Sequence, residues 1–242
     1  MLTNNKIKLI NSLKLKKQRE NHGLFVAEGD KVVQEFLDSD LVVECLYTTN
    51  SKAFPEAIKV SEKDLARISN LKTANGVLAL VRIPESSLQL QEINKKMTIV
   101  LDNIKDPGNL GTIIRIADWF SIDTIICSEE TVDAFNPKVI QSTMGSLARV
   151  KIYYEDLPSI LSEFSVPIYG AVFDGNSIYE QTKLTEGAIV FGNESAGISS
   201  EILNLINHRI TIPRLGGAES LNVAVSAGII CSELIGNSLK HN

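Results

Sequence analysis

Three short stretches of this chain hold the residue types that chemistry needs, and each follows an apolar run. In the first, Asp106-Pro107-Gly108-Asn109-Leu110-Gly111 precedes Arg115. The spacing of Leu110, Ile113, Ile114 and Ala117 predicts a helix from about Asn109 or Leu110, with Arg115 off its apolar stripe and Gly111 one turn before it. A guanidinium with open space beside it can hold a phosphate or carboxylate through two parallel N–H donors. The alternative is an i,i+3 ion pair with Asp118. In the second stretch, Phe191-Gly192-Asn193-Glu194-Ser195-Ala196-Gly197 sets an acceptor-only carboxylate between glycines that let the backbone approach a ligand. Here the alternative is a turn leading to a helix capped at Ser199 or Ser200. The third runs Ile212-Pro213-Arg214-Leu215-Gly216-Gly217-Ala218-Glu219-Ser220-Leu221-Asn222-Val223. It opens an apolar, buried helix expected from about Ser220, its N-cap, to about Ser238. Glu219, Ser220 and Asn222 at that entrance either cap a core helix or meet a ligand.

The elements that must position these residues come next. Apolar, β-branched strands are expected at Thr98 to Leu101, Thr124 to Cys127, Val150 to Tyr153, Pro167 to Val172, Ala188 to Phe191 and Arg209 to Ile212, mostly with helices between them. That alternation implies a mostly parallel α/β sheet, and in such sheets ligands gather outside the carboxyl ends of the strands. All three polar stretches sit at such ends. Residues 84–96 are polar and read as a linker. Before them, residues 1–83 read as a smaller α/β unit: a helix from Asn4 to about Asn21 stopped by His22-Gly23, a strand and turn at Leu24 to Gly29, strands at Leu41 to Tyr47 and Val77 to Val81, and a helix opened by Ser61.

Composition narrows the classes. The net charge of −5 is no basic coat, but Lys6, Lys8, Lys14, Lys16, Lys17 and Arg19 cluster near the start, giving a local face suited to phosphates or simply a solvated helix surface. No apolar run approaches a membrane span, and the first residues carry no secretory signal. Cys45, Cys127 and Cys231 are odd in number and sit among apolar residues, as buried thiols in a reducing, cytoplasmic compartment do. The three His show no metal-ligand spacing. Neither a phosphate-binding P-loop nor a dinucleotide fingerprint is present.

Taken together, Asp106-Pro107-Gly108-Asn109-Leu110-Gly111 with Arg115, Phe191-Gly192-Asn193-Glu194, and Ile212-Pro213 with Glu219-Ser220-Leu221-Asn222-Val223 resemble the SpoU, or TrmH, family of SPOUT RNA methyltransferases. Asn136-Pro137-Lys138 and Met144-Gly145-Ser146 look family-like as well, and the resemblance covers residues 97–242. The first unit resembles the substrate-binding domain often attached to these enzymes, through Leu24-Phe25-Val26-Ala27-Glu28-Gly29. The resemblance implies S-adenosylmethionine as methyl donor, a ribose 2′-hydroxyl of rRNA or tRNA as acceptor, a C-terminal SPOUT domain with a deep trefoil knot, a homodimer, and no metal. By the same resemblance, Arg115, Asn109, Glu194, Ser220 and Asn222 form the catalytic set. Ala171, Val172, Gly192, Asn193, Ile212 and Leu221 hold the cofactor. The charge cluster suggests that Lys14, Lys16, Lys17 and Arg19 contact RNA. Two positions depart from the family: Arg214 stands where an apolar residue is usual, and the stretch around Ser121 lacks the usual glycine. A non-catalytic RNA-binding protein keeping the same fold is the alternative, disfavoured by the intact polar set.

Overall fold

The computed structural model describes residues 2–85 and 87–235. In chain order the elements are α1 (Asn4–Ser12), α2 (Lys16–His22), β1 (Leu24–Glu28), α3 (Asp30–Leu37), β2 (Val43–Thr48), β3 (Ile58–Lys59), α4 (Glu62–Ile68), β4 (Val77–Arg82) and α5 (Leu90–Ile93). They continue as β5 (Met97–Leu101), α6 (Pro107–Trp119), β6 (Thr124–Cys127), α7 (Pro137–Thr143), β7 (Lys151–Tyr154), α8 (Leu157–Ser162), β8 (Ile168–Ser177), β9 (Gly187–Phe191), α9 (Ser200–Leu203), β10 (His208–Thr211) and α10 (Val223–Leu234). The chain divides into two compact units: residues 1–86 with 133–149, and residues 87–132 with 150–242.

The first unit is built on a four-stranded sheet ordered β1-β4-β2-β3, antiparallel except for the β2–β3 pair. Its core includes Ile10, Leu13, Val26, Tyr47, Leu65 and Leu80. Burial of one such aliphatic side chain contributes about 1.5–3 kcal/mol. The basic N-terminal segment, expected as one helix, is two. Arg19 explains the break. It is buried, and its Nη1 donates to the carbonyls of Leu13 at 2.7 Å and Lys14 at 3.0 Å. In a continuous helix those two carbonyls would accept from the backbone of residues four further on. Gly23 then ends α2 with φ of 61°, the left-handed conformation that a C-terminal glycine allows.

Residues 133–149 pack within this first unit. The Phe135 ring lies 5.0 Å from that of Phe25, and Gln141 donates to the carbonyl of Glu28 at 3.1 Å. The family-like Asn136-Pro137-Lys138 opens α7, with the Asn136 side chain accepting from the N–H of Lys138. Beside it, Glu28 is a buried carboxylate that accepts from the Ser69 hydroxyl and from the N–H of Asn70.

The second unit holds a six-stranded sheet ordered β10-β8-β9-β5-β6-β7, parallel in every pairing. Its strands match the sequence expectation to within a residue or two, except that β8 runs on to Ser177. There the pairing jumps: Arg209 lies opposite Gly170, whereas Ile210 lies opposite Asn176. Residues 171–175 therefore loop out, and the returning chain presses on β10. A Cβ on Gly175 would stand 2.6 Å from the Ile210 backbone, so this crossing admits only glycine. Ile93, inside the stretch read as a linker, is buried in the core of this unit with Val100, Val190 and Ile202. Cys127 and Cys231 are buried free thiols; burial pushes both upward in pKa, that of Cys231 to about 12, so both are inert. Cys45 is only partly buried. No described helix is long and apolar enough to cross a membrane.

Candidate active site

From β5 the chain crosses through α6 to β6 on one side, while β9 flanks β5 on the other. The carboxyl ends of β5 and β9 thus straddle a switch point, the place where an open parallel sheet leaves a crevice. After β5, Asp102 is buried and accepts from the N–H of Ser199 at 2.7 Å, tying the strand end to the start of α9. Asn103 follows at φ of 62°, and its carbonyl accepts from Asn193 Nδ2 at 2.9 Å. Asp106 caps α6, accepting from the N–H of Asn109 at 2.8 Å. Helix α6 accordingly starts at Pro107, two residues before the earliest start expected from the stripe alone.

After β9 the chain makes a tight turn, with paired backbone bonds between Asn193 and Gly197 of 3.0 and 2.9 Å. A Cβ on Gly192 would stand 2.2 Å from the Gly197 carbonyl carbon, so the turn closes only with glycine there. Asn193 Oδ1 accepts from the N–H of Ser195 at 2.9 Å and of Ala196 at 3.1 Å. The turn lifts Glu194 into solvent at its tip.

Three of the five expected catalytic residues meet. Asn109 Nδ2 donates to Glu194 Oε1 at 2.6 Å, and Asn222 Nδ2 donates to Asn109 Oδ1 at 2.9 Å. Asn222 is also the N-cap of α10, its Oδ1 accepting from the N–H groups of Ala224 at 3.0 Å and Val225 at 3.3 Å. This corrects the assignment of the cap to Ser220, which is exposed and makes no hydrogen bond among the described residues. Helix α10 packs against α6, where a Cβ on Gly228 would stand 3.6 Å from Ile116 Cδ1. It is not buried all round: Val225 is 50% exposed. The part expected beyond Ile235, to Ser238, lies outside the described residues. Arg115 projects from α6 into solvent, and no hydrogen bond or ion pair of it occurs among the described residues, the i,i+3 pair with Asp118 included.

The expected cofactor residues are spread over the same strand ends. Ala171 and Val172 sit half-buried in the looped-out part of β8, and Ile212 half-buried just past β10. Leu221 is half exposed. The side chain of Asn193 and its backbone N–H and C=O are all committed to the turn, so of the two residues Gly192 is the one with backbone groups left for a ligand. The strongest fit to a cofactor is residues 213–221: no backbone–backbone hydrogen bond involves them among the described residues. Apart from the Ala218 carbonyl, their backbone N–H and C=O groups remain open to read the edge of an adenine, and the apolar Leu215 (99% exposed) and Leu221 can cover its faces. Arg214, the departure from the family pattern, is exposed and reaches only the carbonyl of Ala218 at 3.4 Å. Ser121 sits at φ of 57°, the conformation for which the family's glycine is suited. Asp102 and Asn103 were missed as site supports; their signal was position, the first polar residues after an apolar strand.

Of the expected RNA contacts, Lys14, Lys16 and Lys17 are exposed, with Lys16 3.8 Å from Glu20. Arg19 is a correction. Its side chain is 2% exposed and paired with Asp133, so it serves the fold of the first unit and has no surface to offer a phosphate. No cluster of three or more His, Cys, Asp or Glu placed for a metal occurs among the described residues.

A parallel sheet with a polar cluster at its switch point, a solvent-facing arginine and an adjoining loop of open backbone groups defines an α/β enzyme that takes a small cofactor at its strand ends. The model of the SpoU rRNA Methylase family matches residues 96–232, and that of the MRM3-like substrate binding domain matches residues 4–79. The chain belongs to the SpoU rRNA methylase family, whose members transfer a methyl group from S-adenosylmethionine to a ribose 2′-hydroxyl of RNA. It is 31% identical to the 23S rRNA (guanosine(2553)-2'-O)-methyltransferase RlmP of Bacillus subtilis (strain 168), over 96% of this chain and 97% of that one. A TrmH-family protein from Porphyromonas gingivalis, described as an RNA methyltransferase, matches with TM-score 0.87 and 35% identity over 97% of this chain and 98% of its own. An AdoMet-bound rRNA methyltransferase from Sinorhizobium meliloti matches with TM-score 0.88 and 29% identity over 99% and 97%.

Proposed function

We propose that this enzyme methylates a ribose 2′-hydroxyl of 23S rRNA, with the cofactor held by residues 212–221 and the strand ends at Ala171, Val172 and Gly192. The observation that carries this reading is the joined trio of Asn109, Glu194 and Asn222 beside a loop that makes no backbone–backbone hydrogen bond among the described residues. S-adenosylmethionine supplies an electrophilic methyl on a sulfonium, so the transfer neutralises charge and calls for no metal. A ribose hydroxyl is a poor nucleophile until its proton is shared or removed. Arg115 holds the phosphate next to the target ribose, and that phosphate, so oriented, assists removal of the proton. A guanidinium is no base at neutral pH, so its part is positioning and electrostatic stabilisation. Glu194 anchors the site as an acceptor, and Ser220 meets cofactor or nucleotide.

Residues 1–83 form the RNA-binding part in this reading, with Lys14, Lys16 and Lys17 on phosphates and the RNA read by shape and backbone. The enzyme is a cytoplasmic homodimer with a trefoil-knotted C-terminal domain. Support for the dimer comes from apolar surface on the packed helix pair: Trp119 on α6 is 82% exposed, and Val225 on α10 is half exposed. The jump in register between β8 and β10 is consistent with the knot. The test is transfer of radiolabelled methyl from S-adenosylmethionine to 23S rRNA lacking its 2′-O-methyl groups, followed by mapping of the new mark. Incorporation into base rather than ribose, or none into any rRNA despite cofactor binding by calorimetry, overturns the reading.

A further inference from the structure

We propose that Asn222 and Asn109 are positioning residues that hold Glu194 through a hydrogen-bond chain of fixed direction, starting at the N-terminus of α10; the proposal rests on the catalytic reading of Glu194 above. The direction follows from the two ends. Asn222 Oδ1 accepts from Ala224 N–H at 3.0 Å and Val225 N–H at 3.3 Å, a place only an oxygen can take. Its Nδ2 is thereby turned to Asn109, whose Oδ1 accepts at 2.9 Å. The Asn109 amide then presents Nδ2 to Glu194 Oε1 at 2.6 Å. That far end is a carboxylate, which can only accept. Donors at one end and an acceptor at the other demand the same order, and neither amide can turn over without setting oxygen against oxygen.

The chain has further consequences. The partial positive charge of a helix N-terminus polarises successive hydrogen bonds in one sense, here toward the carboxylate. Both side-chain oxygens of the asparagines are spent, as is the Asn109 backbone N–H on Asp106 at 2.8 Å. Glu194 Oε2 makes no hydrogen bond among the described residues and remains for the substrate. Asn222 also ends the open loop 213–221, so the carboxylate is tied to the far end of the segment that takes the cofactor. The two asparagines thus act through Glu194 and not on the ribose.

The decisive variant is Asn222→Asp. A carboxylate caps α10 as well as an amide does, so the fold persists, but it cannot donate. Asn109 must turn its nitrogen to the new carboxylate and its oxygen to Glu194. Adding Glu194→Gln restores a donor there and closes the chain in the opposite direction. Methyl transfer should fall about 100-fold in kcat in each single variant, while the dissociation constant for S-adenosylmethionine stays within about twofold. The double variant should be no slower than the slower single, instead of about 10,000-fold impaired as independent losses would make it. Multiplicative losses, or a wild-type kcat in Asn222→Asp, overturn the proposal. A second measurement is independent of activity. The side-chain amide proton resonances of Asn109, followed by NMR, should shift in Asn222→Asp as the nitrogen exchanges Glu194 for the new carboxylate, and should keep that new partner in the double variant. Unchanged resonances in Asn222→Asp overturn the chain even if the unaltered enzyme methylates no RNA, which would instead remove the functional reading.

Discussion

Arg19 and Asp133, 114 residues apart in sequence, are joined in the first unit by an Arg19 Nε donor to Asp133 Oδ2 at 3.0 Å and by an ion pair through Nη2. With two carbonyls on its third nitrogen, the guanidinium is almost fully satisfied away from water. Removing one partner of a buried pair strands the other charge at a cost of about 3–5 kcal/mol. Arg19→Ala should lower the unfolding free energy by that order in chemical denaturation. Arg19→Lys should recover only part of it, because an ammonium cannot serve the carboxylate and two carbonyls with the same fork of donors.

Arg115 behaves in the opposite way, because nothing in the described fold depends on its guanidinium. Arg115→Ala should leave the unfolding midpoint and S-adenosylmethionine affinity unchanged while methyl transfer falls by about 100-fold or more, the loss expected when a stabiliser of the transition state is removed. Single-turnover transfer and calorimetry together check this. Lost cofactor binding with intact RNA turnover would sink the assignment.

Lys14 and Lys17 should matter through salt. Replacing both by Ala should weaken binding to rRNA fragments of any sequence, and the slope of log affinity against log salt should fall by roughly 1–2, as the loss of two phosphate contacts requires. Filter binding at several salt concentrations measures it. An unchanged slope would place the RNA on another face.

Glu28 predicts a pH dependence. Burial raises its pKa above the ordinary 4.5, against the lowering effects of the Ser69 hydroxyl, the Asn70 N–H and the charge of Lys14. A carboxyl raised in the folded state contributes its stability in full below the unfolded value, and that contribution is lost as pH rises through the folded value. Glu28→Gln keeps an acceptor for Asn70 and does not titrate. Its unfolding midpoint should therefore gain on that of the unaltered protein as pH rises from about 4 to about 7. A difference constant with pH would show that Glu28 carries no net penalty.

What could be read in the sequence was what depends on neighbours in the chain. The six strands of the second sheet follow from runs such as Thr98 to Leu101 and Ala188 to Phe191, and the parallel order follows from the helices between them. Gly23 and Ser61 acted as the stop and start their types suggest. The misreadings all involve distant partners. Leu13 and Leu15 continue a helical period, but Arg19 takes the carbonyls that would have carried it, and Arg19 is held there by Asp133. Ser220 and Asn222 are both good caps; Asn222 takes the place while also bound to Asn109, 113 residues away. The site residues Asn109, Glu194 and Asn222 were legible as candidates from their strand ends, whereas their order of bonding was not. Ser121, which looked like a lost glycine, keeps the glycine's backbone angle.

The detour of residues 133–149 changes the covalent topology. The chain enters the first unit at the start, leaves it near Ser86, returns at Asp133 and leaves again after Arg149. A single cut anywhere in 84–96 would therefore not release two separate proteins. An expression fragment beginning at Met97 would carry Phe135 and α7 without the Phe25 strand they cover, and a fragment ending at Ile83 would lack them. In this chain, separating the first unit from the second requires two further breaks and a graft, so no single truncation yields either unit whole.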